Sequence, residues 1–168
     1  NVAVGFNAGT LITTGIGNIA IGRSALDADI SGVYNVAIGY EALGSNTAAD
    51  NVAIGGQALL ANTSGTRNTA LGRLTLSSII TANDSTAIGY NALASDTGGS
   101  NTAVGSGALD ANTTGTGNVG IGLNALGSIS TNGQSVAVGS GALASATAAD
   151  NVAVGFNAGT LITTGIGN

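Results

Sequence analysis

Eight carboxylates are the only side chains of this chain able to exchange a proton near neutral pH: Asp27, Asp29, Glu41, Asp50, Asp84, Asp96, Asp110 and Asp150. His and Cys are absent, and the three cations are Arg23, Arg67 and Arg73, so Lys is absent as well. Catalytic constellations built on an imidazole, a thiolate or an amine therefore cannot be assembled. Asp27 and Asp29 beside Arg23 have the residue types of a two-carboxylate glycosidase site. Nearly all the acids fall in turns or variable positions, however, where a solvated loop carboxylate is the ordinary expectation. The calcium-binding β-roll motif needs an Asp in every coil, and that pattern is missing. Asp50 and Asp150, each followed by Asn, offer at most an incidental ion site. The Gly15–Gly17 string lacks the Lys and the following helix of a phosphate loop. These residues point to no enzyme, no cofactor and no dedicated metal site.

Composition narrows the class further. Charged residues make up 7% of the 168 positions, against about 25% in an ordinary globular domain. Disordered chains are poorly hydrophobic and highly charged, whereas this one is 43% apolar with a mean hydropathy of +0.40. Its net charge of −5 and lack of clustered Lys and Arg argue against nucleic-acid and anionic-membrane partners. No run approaches the roughly 18 apolar residues of a membrane span. Without an initiator Met or a leader, the chain reads as an excerpt of a longer one. Large side chains are scarce, so any interior must be thin and lined by Ala, Val, Ile, Leu and Thr.

What positions these residues is a repeat. Units begin at Asn1, Asn18, Asn35, Asn51, Asn68, Ser85, Asn101, Asn118, Ser135 and Asn151, with lengths cycling 17, 17, 16. Numbering each unit from slot one, the fifth slot is Gly throughout: Gly5, Gly22, Gly39, Gly55, Gly72, Gly89, Gly105, Gly122, Gly139 and Gly155. Slot four is always Val, Ile or Leu. Slot three is Ala except at Gly120, slot eight is Ala except at Thr75, and slot nine is Leu except at Gly9 and Gly159. Units this short exclude helical repeats, which need about 33 to 47 residues.

Slots two to four alternate with the period of a strand, Gly at slot five marks a tight corner, and slots eight to thirteen read as a second strand. The Gly-, Asn-, Asp- and Thr-rich remainder is a turn. The expected fold is all-β: a parallel β-solenoid, or β-roll, forming a single continuous segment over residues 1–168. In it slots two, four, nine and thirteen point inward, and the Ala of slots three and eight forms a flat outer wall. Ile54→Asp should then open the stack. Asn1, Asn18, Asn35, Asn51, Asn68, Asn101, Asn118 and Asn151 would stack as a ladder whose amides hydrogen-bond along the axis.

Residues 1–18 recur unchanged at 151–168, which implies a tandem module of 150 residues in a longer fibre. The length cycle leaves two arrangements open. Each unit is one turn of a simple roll, or three units make a 50-residue, three-lobed turn with residue 1 stacked on residue 51. Ile30, Ile79, Ile80 and Ile129, confined to second units, and the alignment of Arg23 with Arg73 support the latter, whereas Ile12 and Ile162 in first units leave the separation incomplete.

The strings NVAIGYEAL at 35–43, STAIGYNAL at 85–93 and SVAVGSGAL at 135–143 resemble the head repeats of trimeric autotransporter adhesins and related repetitive surface or fibre proteins. The resemblance spans all ten units. It implies a left-handed roll, three chains side by side as a homotrimer with the Ala of slots three and eight where they approach, and a head that binds host matrix proteins. Four of the five aromatic residues, Phe6, Tyr40, Tyr90 and Phe156, occupy slot six. They form a candidate contact line for an adhesive or inter-fibre interface, or simply fold over the thin edge of the coil. Two functions follow: an extracellular or cell-surface structural fibre that self-associates end to end or laterally, or an adhesive rod that displays this line to a surface or glycan ligand.

Overall fold

A computed structural model describes all 168 residues. Each unit contributes one three-residue strand, from β1 (Val2–Val4) and β2 (Ile19–Ile21) through β3 (Val36–Ile38), β4 (Val52–Ile54), β5 (Thr69–Leu71), β6 (Thr86–Ile88), β7 (Thr102–Val104), β8 (Val119–Ile121) and β9 (Val136–Val138) to β10 (Val152–Val154). The ten strands form one parallel sheet in sequence order. Its register pairs Val2 with Ile19 and Val36 with Val52. Parallel neighbours need a crossover of a dozen or more residues, and the rest of each unit supplies it by wrapping once round the coil. Every unit is therefore a complete turn. The three-lobed arrangement is excluded, because Ala3 pairs with Ala20 and not with a residue fifty positions on. The short units lose a turn residue only: Asn18 bonds to Gly32 O fourteen positions ahead, whereas Asn35 bonds to Ala48 O thirteen ahead.

The second strand expected over slots eight to thirteen does not form. Slot nine carries left-handed backbone, with Leu26 at φ 53°, Leu59 at 52° and Leu143 at 49°, and slot seven does likewise at Asn7, Glu41 and Asn91. Such residues cannot continue a pleat, so the segment is a chain of turns. Only 18 of the 98 backbone hydrogen bonds belong to the strand ladder, and the other 80 lie outside it. A left-handed Leu costs roughly 1–2 kcal/mol, but enclosing its side chain contributes about 1.5–3 kcal/mol. Burial wins: Leu26, Leu43, Leu59, Leu76, Leu93, Leu109, Leu126 and Leu143 are all fully enclosed. The sequence carried the signal, since Gly replaces Leu at Gly9 and Gly159, where φ is 58° and 64°.

The expected orientation of the strand is reversed. Slot three is the interior position, with Ala20, Ala37, Ala53, Ala70, Ala87, Ala103 and Ala137 fully enclosed, and most Ala of slot eight join them. The Val, Ile, Leu and Thr of slots two and four are half-buried or exposed on the outer face. Thr of slot thirteen is also outside, and slot twelve is inside in its place. Thickness explains the inversion. At Gly120 an added Cβ would lie 3.1 Å from Ala125 O and 3.2 Å from the Leu109 side chain, so a methyl nearly fills the gap between the walls. Branched side chains must take the other face.

Ile54→Asp is therefore expected to leave the coil folded, because the carboxylate stays at the surface. Ala53→Leu, which forces three extra carbons into the gap, should cost about 1–3 kcal/mol or more. Denaturation midpoints of both variants, measured at submicromolar concentration, check the orientation. A larger loss for Ile54→Asp would contradict it.

Candidate functional site

Three features carry the polar and aromatic chemistry: the slot-one column, the slot-twelve column and the slot-six corner. In the first, Asn18, Asn35, Asn51, Asn68, Asn101, Asn118 and Asn151 are buried, and Asn1 is exposed at the open end. Each amide works in two directions. The Asn18 backbone N–H donates to Asn1 Oδ1 at 2.9 Å, and the Asn35 N–H donates to Asn18 Oδ1 at 2.8 Å. Within its own coil, Asn18 Nδ2 donates to Gly32 O at 2.7 Å, as Asn101 Nδ2 does to Gly115 O. The amide oxygen thus binds the next coil and the amide nitrogen closes its own. Ser85 and Ser135 keep the inter-coil link through their hydroxyls, which accept from the N–H groups of Asn101 at 3.4 Å and Asn151 at 3.3 Å.

The slot-twelve column was not foreseen as interior. It runs Ile12, Asp29, Asn46, Asn62, Ile79, Asp96, Asn112, Ile129, Ala146 and Ile162, and all but its two end members are buried. Asp96 Oδ1 accepts from Asn112 Nδ2 at 2.7 Å, from Asn101 Nδ2 at 3.2 Å and from Gly98 N–H at 3.2 Å, while Ser85 Oγ approaches Oδ2 at 3.4 Å. Asp29 Oδ1 accepts from Gly32 N–H at 2.7 Å, and its Oδ2 from Asn35 Nδ2 at 3.3 Å. Burial disfavours the charged form, so both carboxyls sit above the usual carboxylate range despite the hydrogen bonds that pull the other way. Asn112 Oδ1 is the one buried side-chain polar atom with no partner. A column that mixes Ile with Asn and Asp resembles a variable surface position, which conceals its burial.

The remaining acids lie in different surroundings. Asp29 is sealed inside its coil while Asp27 lies at the surface, so the two carboxylates face different media. Asp50 and Asp150 are exposed, whereas Asn51 and Asn151 beside them turn inward, leaving no shared ion site. No three acidic side chains come together. Arg67 and Asp84 form a two-pronged pair on the surface, Nε to Oδ1 at 2.6 Å and Nη2 to Oδ2 at 2.9 Å. Exposed pairs of this kind contribute little stability. The surface depressions measure 180 to 320 Å³, are open, and have one hydrophobic lining residue each, unlike the enclosed apolar clefts that hold small molecules.

Slot six lies just past the glycine corner and is exposed in every coil except at Gly56 and Ser140, which are half-buried. Phe6, Tyr40, Tyr90 and Phe156 are 71%, 45%, 52% and 80% exposed, and Arg23 and Arg73 are exposed between them. Backbone bonds hold the row in line: Ser24 N–H to Phe6 O at 2.9 Å, Glu41 N–H to Arg23 O at 3.0 Å and Gln57 N–H to Tyr40 O at 2.8 Å. The Arg23 guanidinium sits 5.6 Å from the centre of the Tyr40 ring. Hydrogen bonds from Tyr40 and Gln57 hold the Glu41 carboxyl below its usual range, and the same carboxylate raises the Tyr40 phenol. No helix is long and apolar enough to cross a membrane. No protein-family model matches the chain, and comparison with curated proteins and with solved structures found no match.

Proposed function

We propose that the chain is structural: a rod segment of an extracellular or cell-surface fibre whose copies associate laterally through the outer face of the sheet. The observation that carries this reading is the face made by slots two and four. Twenty side chains of Val, Ile, Leu and Thr line it without a single charge. Nine steps at the strand spacing give it a length of roughly 43 Å. Ile21, Leu71, Ile88 and Ile121 remain 37%, 44%, 37% and 38% exposed. Soluble monomers rarely leave a continuous apolar strip of this kind uncovered, and its repeat at every coil makes it self-complementary. The contact surface is thus the branched face, not the Ala of slots three and eight. A homotrimer of rolls and a wider lateral fibre both use it. The resemblance to adhesin heads supports the extracellular setting.

Sedimentation velocity of the purified chain at tens of micromolar should show a discrete oligomer or larger assemblies. The double variant Ile54→Glu/Ile88→Glu should sediment as a monomer with unchanged circular dichroism. A parent chain that stays monomeric at that concentration would overturn the proposal. A second reading, a rod that presents an adhesive line, is favoured by the aromatic and arginine side chains of slot six.

A further inference from the structure

We propose that the corner row from Phe6 to Tyr90 binds an extended acidic polysaccharide laid along the solenoid axis. This rests on the second reading, the adhesive line of slot six, and uses a different surface from the fibre contact. In successive coils the row presents Phe6, Arg23, Tyr40, Gly56, Arg73 and Tyr90. Tyr40 and Tyr90 stand three coils apart, as do Arg23 and Arg73, which is about 14 Å at the strand spacing. The exposed aromatic faces suit the apolar faces of sugar rings. The guanidinium groups suit carboxylates.

Charge supports the same occupant. Arg23 and Arg73 are two of the three cations in the chain, and neither forms a salt bridge, because the only one joins Arg67 to Asp84. Glu41 is the only acid in slots six and seven of these coils, and its carboxylate is already engaged by Gln57 at 3.0 Å. The cations on this line are thus in no salt bridge, Arg23 resting over the Tyr40 ring near Glu41, although the whole chain is acidic. A protein partner fits less well. A stable protein contact covers about 800 Å² on each side, and a single file of side chains along a corner does not provide it. The row also has a built-in boundary, since Ser106, Leu123 and Ser140 follow it in the next three coils.

Titration calorimetry with polygalacturonate, and with dextran as the uncharged probe, tests this on the intact chain. The parent should bind polygalacturonate and prefer it to dextran. Arg23→Gln/Arg73→Gln should weaken polygalacturonate binding by about tenfold or more and remove the preference. Tyr40→Ser/Tyr90→Ser should weaken it by about tenfold through lost ring contacts. Both pairs will fold, because slot six already carries Ser106, Ser140 and Leu123. Leu123→Ser, outside the row, should change nothing. The proposal fails if the parent does not bind polygalacturonate, or if both double variants bind as the parent does. It also fails if the row variants alter sedimentation of the ligand-free chain, which would make a second copy the occupant. Lost binding with self-association intact separates this site from the sheet face.

Discussion

Gly55→Ala should break the stack between the fourth and fifth coils, with a loss of about 4 kcal/mol or more. Two effects combine. The backbone at Gly55 has φ of 134°, a conformation that L side chains rarely adopt, and an added Cβ would lie 2.5 Å from the Gly72 carbonyl carbon and oxygen of the next coil. Neither contact can relax, because Gly72 is itself held by its N–H bond to Ile54 O at 2.7 Å. The adjacent glycine provides the control. Gly56 has ordinary backbone, and its added Cβ would meet only Tyr40 O at 4.0 Å. Gly56→Ala should be neutral or stabilise by up to about 1 kcal/mol through the unfolded chain. Guanidinium denaturation followed by circular dichroism should separate the two by several tenths of a molar in midpoint. Equal midpoints would mean that the corner tolerates a side chain. In a stack held by nearest-neighbour contacts, the damage should centre on the altered corner, and limited proteolysis should cut there first.

Asp96→Asn should have the largest effect in the opposite direction. Asp96 is fully enclosed, and burial raises its carboxyl above the usual range. A carboxyl whose folded-state pKa is raised adds stability below the unfolded value, and that contribution is lost as pH rises through the folded one. At neutral pH the parent therefore carries a penalty that an amide does not. The site also accepts an amide by geometry. Asp96 Oδ1 already takes the bonds from Gly98, Asn101 and Asn112, and the Ser85 hydroxyl at Oδ2 can accept from an Nδ2 donor. Asn46, Asn62 and Asn112 hold the same slot in other coils. The expected gain is about 1–2 kcal/mol at pH 7, roughly 2–8 °C in Tm, shrinking as pH falls towards 4. Asp29→Asn should gain less, because its Oδ2 accepts from Asn35 Nδ2 at 3.3 Å and a second amide nitrogen there would face a donor. Thermal melts between pH 4 and 8 decide the matter. A gain that does not vary with pH would show that the carboxyl is not the source.

The solenoid itself was legible because its determinants are columns. Gly at slot five and Asn or Ser at slot one recur at every turn of the chain, and no globular fold accounts for that spacing. The phase of the strand was not legible. Alternation of Val, Ala and Ile gives a period but not a direction, and the usual preference for branched residues in a core points the wrong way when the interior admits little more than a methyl. The second strand failed for a related reason. Leu reads as an extended or helical residue, and only its exchange with Gly9 and Gly159 reports the left-handed backbone. The interior carboxyls were hidden by composition, since Asp29 and Asp96 look like the turn acids Asp50 and Asp150 until the coil closes over them. The slot-six row was visible as an aromatic column, whereas the stacking of Arg23 over Tyr40 at 5.6 Å depends on coils meeting at one-turn register.

That register has a mechanical consequence. Each coil is joined to its neighbours by bonds that run along the axis, such as Asn35 N–H to Asn18 Oδ1 at 2.8 Å and Ile19 N–H to Asn35 O at 2.8 Å. Tension applied along the rod loads these bonds end-on and in sequence, so it peels one coil at a time. A coil that occupies about 4.8 Å of rod releases roughly 55 Å of extended chain when it opens. Force would then be absorbed in near-equal steps, each sparing the coils behind it, and on release each remaining coil is a template for the next to wind back on.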